Sequence, residues 1–222
     1  SSKAELSQDC SLLFVTISGS GSPGRGIVVF DGNSGEELGN PHADTYWRSA
    51  SRNATRHAFS IENRVRIADL ETGEVINEFD LSVYTKQAGV LYIVRLSNDG
   101  ERLATKVRER YEDQGSVVHI WDVGSGELQF ELTELPEGVP RLWWMSDDHS
   151  IATVVDGTIQ FWNAKTGEFE FQLANEQDPA VDFAESPDGS QLAILTESGS
   201  CRLWNIRTRQ YVREFTVFPA GC

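Results

Sequence analysis

A glycine-rich run near the N-terminus is the part of the sequence closest to a cofactor motif. Gly19–Gly24 (GSGSPG) matches the GxGxxG spacing, in which glycines let the backbone approach a dinucleotide pyrophosphate. Such a site needs a helix next, because the N-terminal amides of that helix bind the phosphates. The residues that follow, Ile27–Phe30, form an apolar run that predicts a strand. The motif is therefore predicted to be a loop between two strands, and no cofactor is expected.

Residues that could catalyse a reaction or hold a metal ion do not form a recognisable pattern. The chain has neither a GxSxG nucleophile elbow nor an HExxH pair. His57 could act as a base, but it falls inside a predicted strand with no identifiable nucleophile, so a structural role is expected. Cys10, Cys201 and Cys222 are too few and too scattered for a zinc site or a disulfide scaffold. The sequence thus predicts that the chain is not an enzyme and binds no metal.

The composition is that of an acidic globular protein. Lys and Arg total 19 against 34 Asp and Glu, which gives a net charge of −15. This charge repels phosphate backbones, so binding to nucleic acid through a general basic surface is not expected. No apolar run reaches the roughly 18 residues that a membrane span needs. No secretory signal is visible at the first residues, which predicts a cytoplasmic location.

Five segments share one pattern, in which an alternating apolar run ends in a turn with a glycine. The glycine position falls at Gly35, Gly73, Gly126 and Gly167, and Arg209 fills it in the fifth copy. The spacings of 38, 53, 41 and 42 residues indicate a repeat of about 44 residues. The predicted repeats are approximately 1–40, 41–82, 83–134, 135–174 and 175–217, within a single domain of residues 1–222.

Each repeat is predicted to contain two hairpins. An alternating run before the glycine and another after it, such as Phe169–Leu173, predict a strand pair with a tight turn. A second pair precedes it, joined by turns such as Asn98–Gly100 and Pro187–Gly189. Each repeat is therefore predicted to be a sheet of four short antiparallel strands. No segment shows a convincing helical period.

These repeats resemble those of the WD-repeat β-propeller family. Residues 156–163 (DGTIQFWN) and 118–122 (VHIWD) resemble the third-strand signature, and Ser186–Gly189 resembles the turn between the first two strands. The resemblance covers nearly the whole chain and implies an all-β fold, a β-propeller of four-stranded antiparallel blades with five blades in this chain. Because rings of seven are more common in the family, five blades either close alone or form part of a larger propeller. Further repeats or another chain would complete the larger ring.

Several positions depart from the family pattern. Phe30 and Ala68 stand where the family has Trp, and Asn163 and Asn205 replace the Asp of the Trp-Asp pair. None of the four histidines occupies the position of the family's Gly-His pair. These departures predict that the buried Asp-His-Ser-Trp network of family members is missing and that apolar packing holds the blades together.

The candidate partner-binding residues are aromatic and charged side chains on two predicted surfaces. Insertions at Ser18–Gly26 and Arg108–Gly115 are expected on the face that, in the family, commonly binds partners, and the second insertion contains Tyr111. An alignment of the turns places one residue per innermost strand at a position expected to line the channel: Ser49, Arg95, Trp144 and Asp182. One of Trp143 and Trp144 is expected to be exposed, because successive strand side chains point oppositely. The predicted partner-binding set is Trp47, Arg48, Arg95, Arg110, Tyr111, Trp144 and Asp182.

The predicted function is that of a non-enzymatic scaffold for protein–protein interaction, as a module of a larger protein or complex. Its partner would be a protein or peptide, and self-association or completion by further repeats is also expected. Two alternatives stay open from the sequence. A propeller enzyme would show carboxylates or a His–acid pair converging at the channel. A carbohydrate-binding propeller would repeat one pocket in every blade, which the unlike residues at the channel position argue against.

Overall fold

The computed structural model describes residues 3–6, 11–17, 26–39, 46–51, 53, 55–61, 64–82, 90–108, 116–135, 141–173 and 177–216. Within these ranges, twenty strands form five separate four-stranded antiparallel sheets, named blades 1 to 5 below. In each blade the strands follow chain order, so each strand is hydrogen-bonded to the next one along the chain. The described part of the chain is therefore all-β and built of β-propeller blades, which confirms the predicted fold class.

The strands of each blade have the following bounds. Blade 1 contains β1 (Lys3–Leu6), β2 (Leu12–Ile17), β3 (Gly26–Asp31) and β4 (Glu37–Gly39). Blade 2 contains β5 (Tyr46–Ala50), β6 (Arg56–Ile61), β7 (Arg64–Asp69) and β8 (Val75–Asp80). Blade 3 contains β9 (Val90–Leu96), β10 (Arg102–Arg108), β11 (Ser116–Asp122) and β12 (Leu128–Leu135). Blade 4 contains β13 (Arg141–Trp144), β14 (Ser150–Val155), β15 (Thr158–Asn163) and β16 (Phe169–Leu173). Blade 5 contains β17 (Ala180–Glu185), β18 (Gln191–Thr196), β19 (Ser200–Asn205) and β20 (Gln210–Thr216).

The turn between the third and fourth strands is built alike in all five blades. Its glycine position has a φ of 71° to 77° in the first four blades, a conformation that suits a residue without a Cβ. In blade 5 Arg209 adopts a φ of 53° at the same position. The structure therefore confirms the repeat spacing read from the sequence.

The chain divides into two compact units, each with its core between neighbouring blades. Unit 1 comprises residues 1–113 and 117–131, and unit 2 comprises residues 114–116 and 132–222. In unit 1, Ile67 of blade 2 and Leu103 of blade 3 belong to one buried apolar cluster. In unit 2, Phe161 of blade 4 and Leu192 of blade 5 do the same. The single domain of residues 1–222 stays a prediction.

Two blades each contain one buried Trp–Thr hydrogen bond, although the sequence predicts that the full network is missing. In blade 3, the indole Nε1 of Trp121 donates to Thr105 Oγ1 at 2.8 Å. In blade 4, Trp162 Nε1 donates to Thr153 Oγ1 at 3.0 Å. All four side chains are buried, so each bond satisfies polar atoms that would otherwise be costly to remove from water. In these two blades, a buried side-chain hydrogen bond joins the second and third strands.

In blade 2, apolar packing takes the place of this hydrogen bond, as the sequence predicts. Ala68 occupies the tryptophan position of the third strand, and Phe59 occupies the threonine position of the second. Both residues are buried, so the aromatic ring has moved from one strand to its neighbour. His57, opposite Ala68, is fully buried and stacks on Phe59 with ring centroids 5.6 Å apart. That environment fits the structural role expected for His57.

Two predicted loop features lie outside the described residues. They are the glycine-rich motif Gly19–Gly24 and the insertion that contains Arg110 and Tyr111. The strand β3 begins at Gly26, so a strand and not a helix follows the motif, as predicted. In the part of the chain that the structure describes, no helix has the length and apolar character to cross a membrane.

Candidate functional site

The main-chain hydrogen bonds of the first turn align the first strands of blades 2 to 5. An N–H donates to the carbonyl oxygen five residues later at four equivalent positions: Ser51, Ser97, Met145 and Ser186. The position two residues before each of these is occupied by Ser49, Arg95, Trp143 and Ala184. Trp144 and Asp182 therefore do not occupy the position that the sequence alignment gave them, and their roles in partner binding stay predictions. Trp144 lies one residue after this position, and Asp182 lies two residues before it.

The error at Trp144 has a local cause. Met145 begins the turn in blade 4, where blades 2, 3 and 5 have serine. The serine that follows, Ser146, resembles the turn-initiating residue in the sequence, and it shifts the alignment by one residue. A one-residue shift moves a side chain to the opposite side of a strand. Trp144 is accordingly buried, with 8% of its surface exposed.

Trp143 occupies the position that the sequence assigned to its neighbour. It is half-buried, and its ring packs on Phe183 of blade 5 with ring centroids 4.4 Å apart. Neither tryptophan of the pair is therefore exposed in the way predicted. Part of the Trp143 indole remains accessible at the first strand of blade 4.

An Arg–Asp pair lies on the first strands of unit 2. A guanidinium nitrogen of Arg141 on β13 lies 3.6 Å from a carboxylate oxygen of Asp182 on β17, and both side chains are more than half exposed. Arg141 also donates to the carbonyl oxygen of Val181 at 3.2 Å. Because Arg141 lies two residues before Trp143, both project from the same side of β13. We call Arg141, Trp143, Val181 and Asp182 the first-strand surface.

Of this set, only Asp182 was among the partner-binding residues predicted from the sequence. The signal for the other residues was available, since strand alternation from a correctly placed Trp143 leads directly to Arg141. Across adjacent blades, Arg141 and Asp182 occupy equivalent positions, each four residues before its turn residue. Opposite charges at equivalent positions of neighbouring blades are a pattern that a correct alignment would have revealed.

Hydrogen bonds across the seam between blades 4 and 5 fix the first-strand surface. The N–H and hydroxyl of Ser146 both donate to the Glu185 carboxylate, each at 2.8 Å. The N–H of Ala180 donates to the carbonyl oxygen of Gly157 at 2.9 Å. At the outer strands, the Arg209 guanidinium lies 4.1 Å from the ring centroid of Phe171. These contacts hold β13 and β17 in a defined position relative to each other.

The predicted residues of unit 1 have other surroundings. Ser49 is 5% exposed, and its hydroxyl oxygen accepts the N–H of Leu96 at 3.1 Å, so it connects the first strands of blades 2 and 3. Arg95 is half-buried and donates to the carbonyl oxygen of Val94 at 3.2 Å. Trp47 and Arg48 belong to β5, but their side chains lie outside the described part of the structure. The binding roles of Arg95, Trp47 and Arg48 stay predictions, as do those of Arg110 and Tyr111.

A His–acid pair lies in blade 3, on the outer strands. His119 Nε2 on β11 is 3.2 Å from a carboxylate oxygen of Glu131 on β12. Burial lowers the pKa of His119, although Glu131 acts in the opposite direction. The ring stacks on Trp121, with centroids 6.0 Å apart. A pair on the third and fourth strands does not match the enzyme alternative, which calls for such a pair beside the first strands.

Most of the aspartates with shifted pKa values cap turns. Side-chain and main-chain hydrogen bonds, the largest from the Ser186 hydroxyl, lower the pKa of Asp188 to about 2. For Asp122 the main-chain N–H of Ser125 is the largest of the causes that lower the pKa. Downward shifts of this kind keep a carboxylate ionised and do not prepare it to donate a proton. Among the described residues, no group of three or more His, Cys, Asp or Glu side chains could hold a metal ion.

Comparisons with known proteins identify distant relatives. No family model matches the chain. Coronin-7 of Rattus norvegicus is 26% identical over 155 residues, which cover 65% of this chain and 16% of that protein. Coronin-7 of Mus musculus is 30% identical over 101 residues, which cover 41% of this chain and 11% of that protein. Apoptotic protease-activating factor 1 of Rattus norvegicus is 22% identical over 182 residues, which cover 82% of this chain and 14% of that protein.

The chain thus matches between 11% and 16% of the length of these relatives. The relatives are WD-repeat proteins. The chain resembles that group in its repeat spacing and third-strand signature, and its described residues form four-stranded blades. The five four-stranded blades and the similarity to these relatives support a divergent WD-repeat propeller.

Proposed function

We propose that this chain is a non-enzymatic protein-interaction scaffold that binds a peptide segment of its partner on the first-strand surface. The observation that carries the proposal is the Arg141–Asp182 pair, which is exposed beside a half-buried tryptophan on two adjacent blades. Arg and Trp are the residue types that most often dominate the binding energy of protein interfaces. The WD-repeat relatives support the general role of a scaffold, and the cytoplasm is the location that we propose for it.

The chemistry of the surface favours a segment with a carboxylate next to an apolar side chain. An exposed ion pair such as Arg141–Asp182 contributes about 0–1 kcal/mol, so a partner's carboxylate can replace Asp182 at little cost. The accessible part of Trp143 and the exposed side chain of Val181 provide the apolar contact. The surrounding acidic chain repels anions that lack this apolar anchor. Affinity would therefore depend on both parts of the segment.

The carboxylate of the first-strand surface does not have the environment that a catalytic acid needs. Asp182 is paired with Arg141 and largely exposed, whereas a catalytic acid is commonly a buried carboxyl with a raised pKa. The shifted aspartates of the described chain owe their low pKa values mainly to turn hydrogen bonds. These observations support binding over catalysis.

The test is partner capture with three forms of the chain: wild type, Arg141→Glu and the matched control Lys165→Glu. Lys165 is exposed on the turn between β15 and β16, so its replacement makes the same change of charge elsewhere on blade 4. Proteins captured by the wild type are identified, and the affinity of each is measured with the purified partner. We expect Arg141→Glu to weaken binding about tenfold or more, because it opposes a carboxylate with a carboxylate. Equal affinity of all three forms would remove the first-strand surface from the binding site.

A further inference from the structure

One face of blade 2 and one face of blade 4 are each sealed by the blade that follows in the chain. In blade 2, Val65 and Ile67 of β7 are fully buried in a cluster with residues of blade 3. In blade 4, Ile159 and Phe161 of β15 are buried in a cluster with residues of blade 5. We call the face of a blade that packs against the following blade its outgoing face. The face that packs against the preceding blade is its incoming face. In both seams, apolar side chains of the third strand are covered by the next blade.

The outgoing face of blade 5 is apolar but not sealed. The strand register makes Cys201 and Leu203 the equivalents of the buried third-strand residues, and both are partly exposed. Phe215, opposite Cys201, is 41% exposed, whereas its equivalent Phe79 in blade 2 is 3% exposed. The strand β20 is exposed along its whole length. Blade 5 therefore exposes apolar residues at positions where blade 2 and blade 4 bury them.

The incoming face of blade 1 is the matching half of such a seam. Leu13 and Val15 of β2 are partly exposed. Their equivalents in blade 5, Leu192 and Ile194, are 0% and 5% exposed where they pack against blade 4. Blade 1 thus carries apolar residues at positions that a preceding blade covers in the sealed seams.

On the fourth strand, the residue that contacts the turn of the next blade also supports the pairing of blade 5 with blade 1. In blade 2 it is Asn77, whose amide donates to the carbonyl oxygen of Val123 in blade 3 at 3.0 Å. In blade 4 it is Phe171, which lies under Arg209 of blade 5. In blade 5 the equivalent residue is Arg213, which is exposed and lies over the ring of Phe215. The residue at this position is matched to the turn that it contacts, and an exposed arginine is matched to an acidic turn.

The corresponding turn of blade 1 is acidic. It runs from Asp31 to Glu37 and contains three carboxylates, of which those of Glu36 and Glu37 are exposed. A cation opposite this turn would gain an attractive interaction, and an anion would be repelled. Both the apolar faces and the charges therefore favour blade 5 followed by blade 1.

We propose that the outgoing face of blade 5 binds the incoming face of blade 1 of a second copy of this chain, in a head-to-tail interface. The interface repeats the seam between blades 4 and 5, with Leu203 and Phe215 against Leu13 and Val15, and with Arg213 against the Glu36 turn. Head-to-tail contacts of this kind build closed rings or open chains of copies. The interface is separate from the first-strand surface, so either proposal can fail without the other.

The experiment measures the oligomeric state of the purified chain by sedimentation velocity between about 1 and 200 µM. It uses about 0.15 M salt, because two copies of charge −15 repel each other over longer distances at low ionic strength. We expect dimers or larger species to form as the concentration rises. Arg213→Glu should raise the dissociation constant about tenfold or more, and the double variant Arg213→Glu, Glu36→Arg should restore association, because it swaps the charges.

Two further measurements separate this interface from other contacts. Arg207→Glu is the matched control, since Arg207 is exposed on the turn before β20 and the charge change is the same. It should leave association unchanged. In a variant with Cys10→Ser and Cys222→Ser, the reaction of Cys201 with a thiol reagent should slow as the protein concentration rises, because association covers this residue.

A chain that stays monomeric over the whole range, with a concentration-independent reaction of Cys201, would overturn the proposal. Association that resists Arg213→Glu as well as Arg207→Glu would overturn it too, because another surface would then join the copies.

Discussion

The polar residue at the end of each third strand caps the turn that follows it. The Asp69 carboxylate accepts the N–H groups of Glu71 and Thr72 at 3.0 and 2.8 Å and the Thr72 hydroxyl at 3.0 Å. In blade 4 the side-chain oxygen of Asn163 accepts the N–H of Lys165 at 2.9 Å. An amide oxygen accepts these bonds as a carboxylate does. The Asn departures from the family pattern therefore keep the cap and give up only its charge.

The variant Asp69→Asn separates the cap from the charge. The N–H of Thr72 is the main cause that lowers the pKa of Asp69 from 3.8. Ionised Asp69 therefore stabilises the fold above pH 3.8, and this contribution is lost as the pH falls through the lower folded pKa. We expect Asp69→Asn to have a slightly lower urea midpoint than the wild type at pH 7, because it loses the charge of the cap, and to lose less stability below about pH 4. Asp69→Ala should lower the midpoint at both pH values, and an Asn variant as acid-sensitive as the wild type would contradict this account.

Residues whose conformation depends on near neighbours were predictable from the sequence. The glycine position was found from spacing alone, and it located Arg209, which adopts the same left-handed conformation. The environment of Trp143 could not be found in this way, because its ring packs on Phe183 from another blade. The Trp–Thr bonds of blades 3 and 4 were also missed, although both partners are visible in the sequence. Their absence was inferred from departures at the Trp, Asp and His positions of the family pattern, yet blades 3 and 4 retain Trp and form the bond.

At the scale of whole strands, the hairpins follow from the sequence and the seams between blades do not. A hairpin is specified by alternation and by a turn of two to five residues, which are local features. The bonds of a seam join residues far apart in sequence, such as Ser146 to Glu185 and Asn77 to Val123. Their pairing depends on how two finished sheets meet. The four-stranded blades were therefore predicted correctly, whereas the first-strand surface was recovered only in part.

The seam between blades 4 and 5 contains a close approach that can be tested. Gly157 has a φ of 74°, and a Cβ at this position would lie 2.2 Å from the Pro179 Cβ. Gly73 has a φ of 73° and open space where its Cβ would be. Gly73→Ala should therefore cost only the backbone penalty, about 1 kcal/mol. We expect Gly157→Ala to cost about 1–3 kcal/mol more, because Pro179 must move.

Urea unfolding of the two alanine variants measures this difference directly. Because the φ values are nearly equal, the backbone penalty cancels and the remainder reports the contact with Pro179. Equal destabilisation of the two variants would mean that Pro179 moves away from the new Cβ at no cost in free energy. A larger loss for Gly73→Ala would contradict the account altogether.

At the scale of the molecule, the excess of acids over bases opposes the folded state. The chain has 34 acidic and 19 basic residues. Summed over distant pairs of charges, the repulsion between carboxylates is therefore larger than the attraction between carboxylates and cations. Some arginines are paired, as Arg66 is with Glu78 and Arg202 with Asp178. Such short-range pairs are screened less by salt than distant exposed charges are. Salt should therefore remove more repulsion than attraction.

We expect the urea midpoint at pH 7 to rise as NaCl increases from about 10 to 150 mM, because the Debye length falls from about 30 to 8 Å. A variant with four exposed acids replaced by Gln (Glu71, Glu74, Glu127 and Glu197) changes the net charge from −15 to −11. Its midpoint at low salt should exceed that of the wild type, and its rise with NaCl should be smaller. The matched control replaces Lys165 and Arg207 by Gln, which makes the net charge −17 and should steepen the rise. A midpoint that falls with salt in all three forms would mean that the ion pairs, and not the net charge, determine the electrostatic contribution to stability.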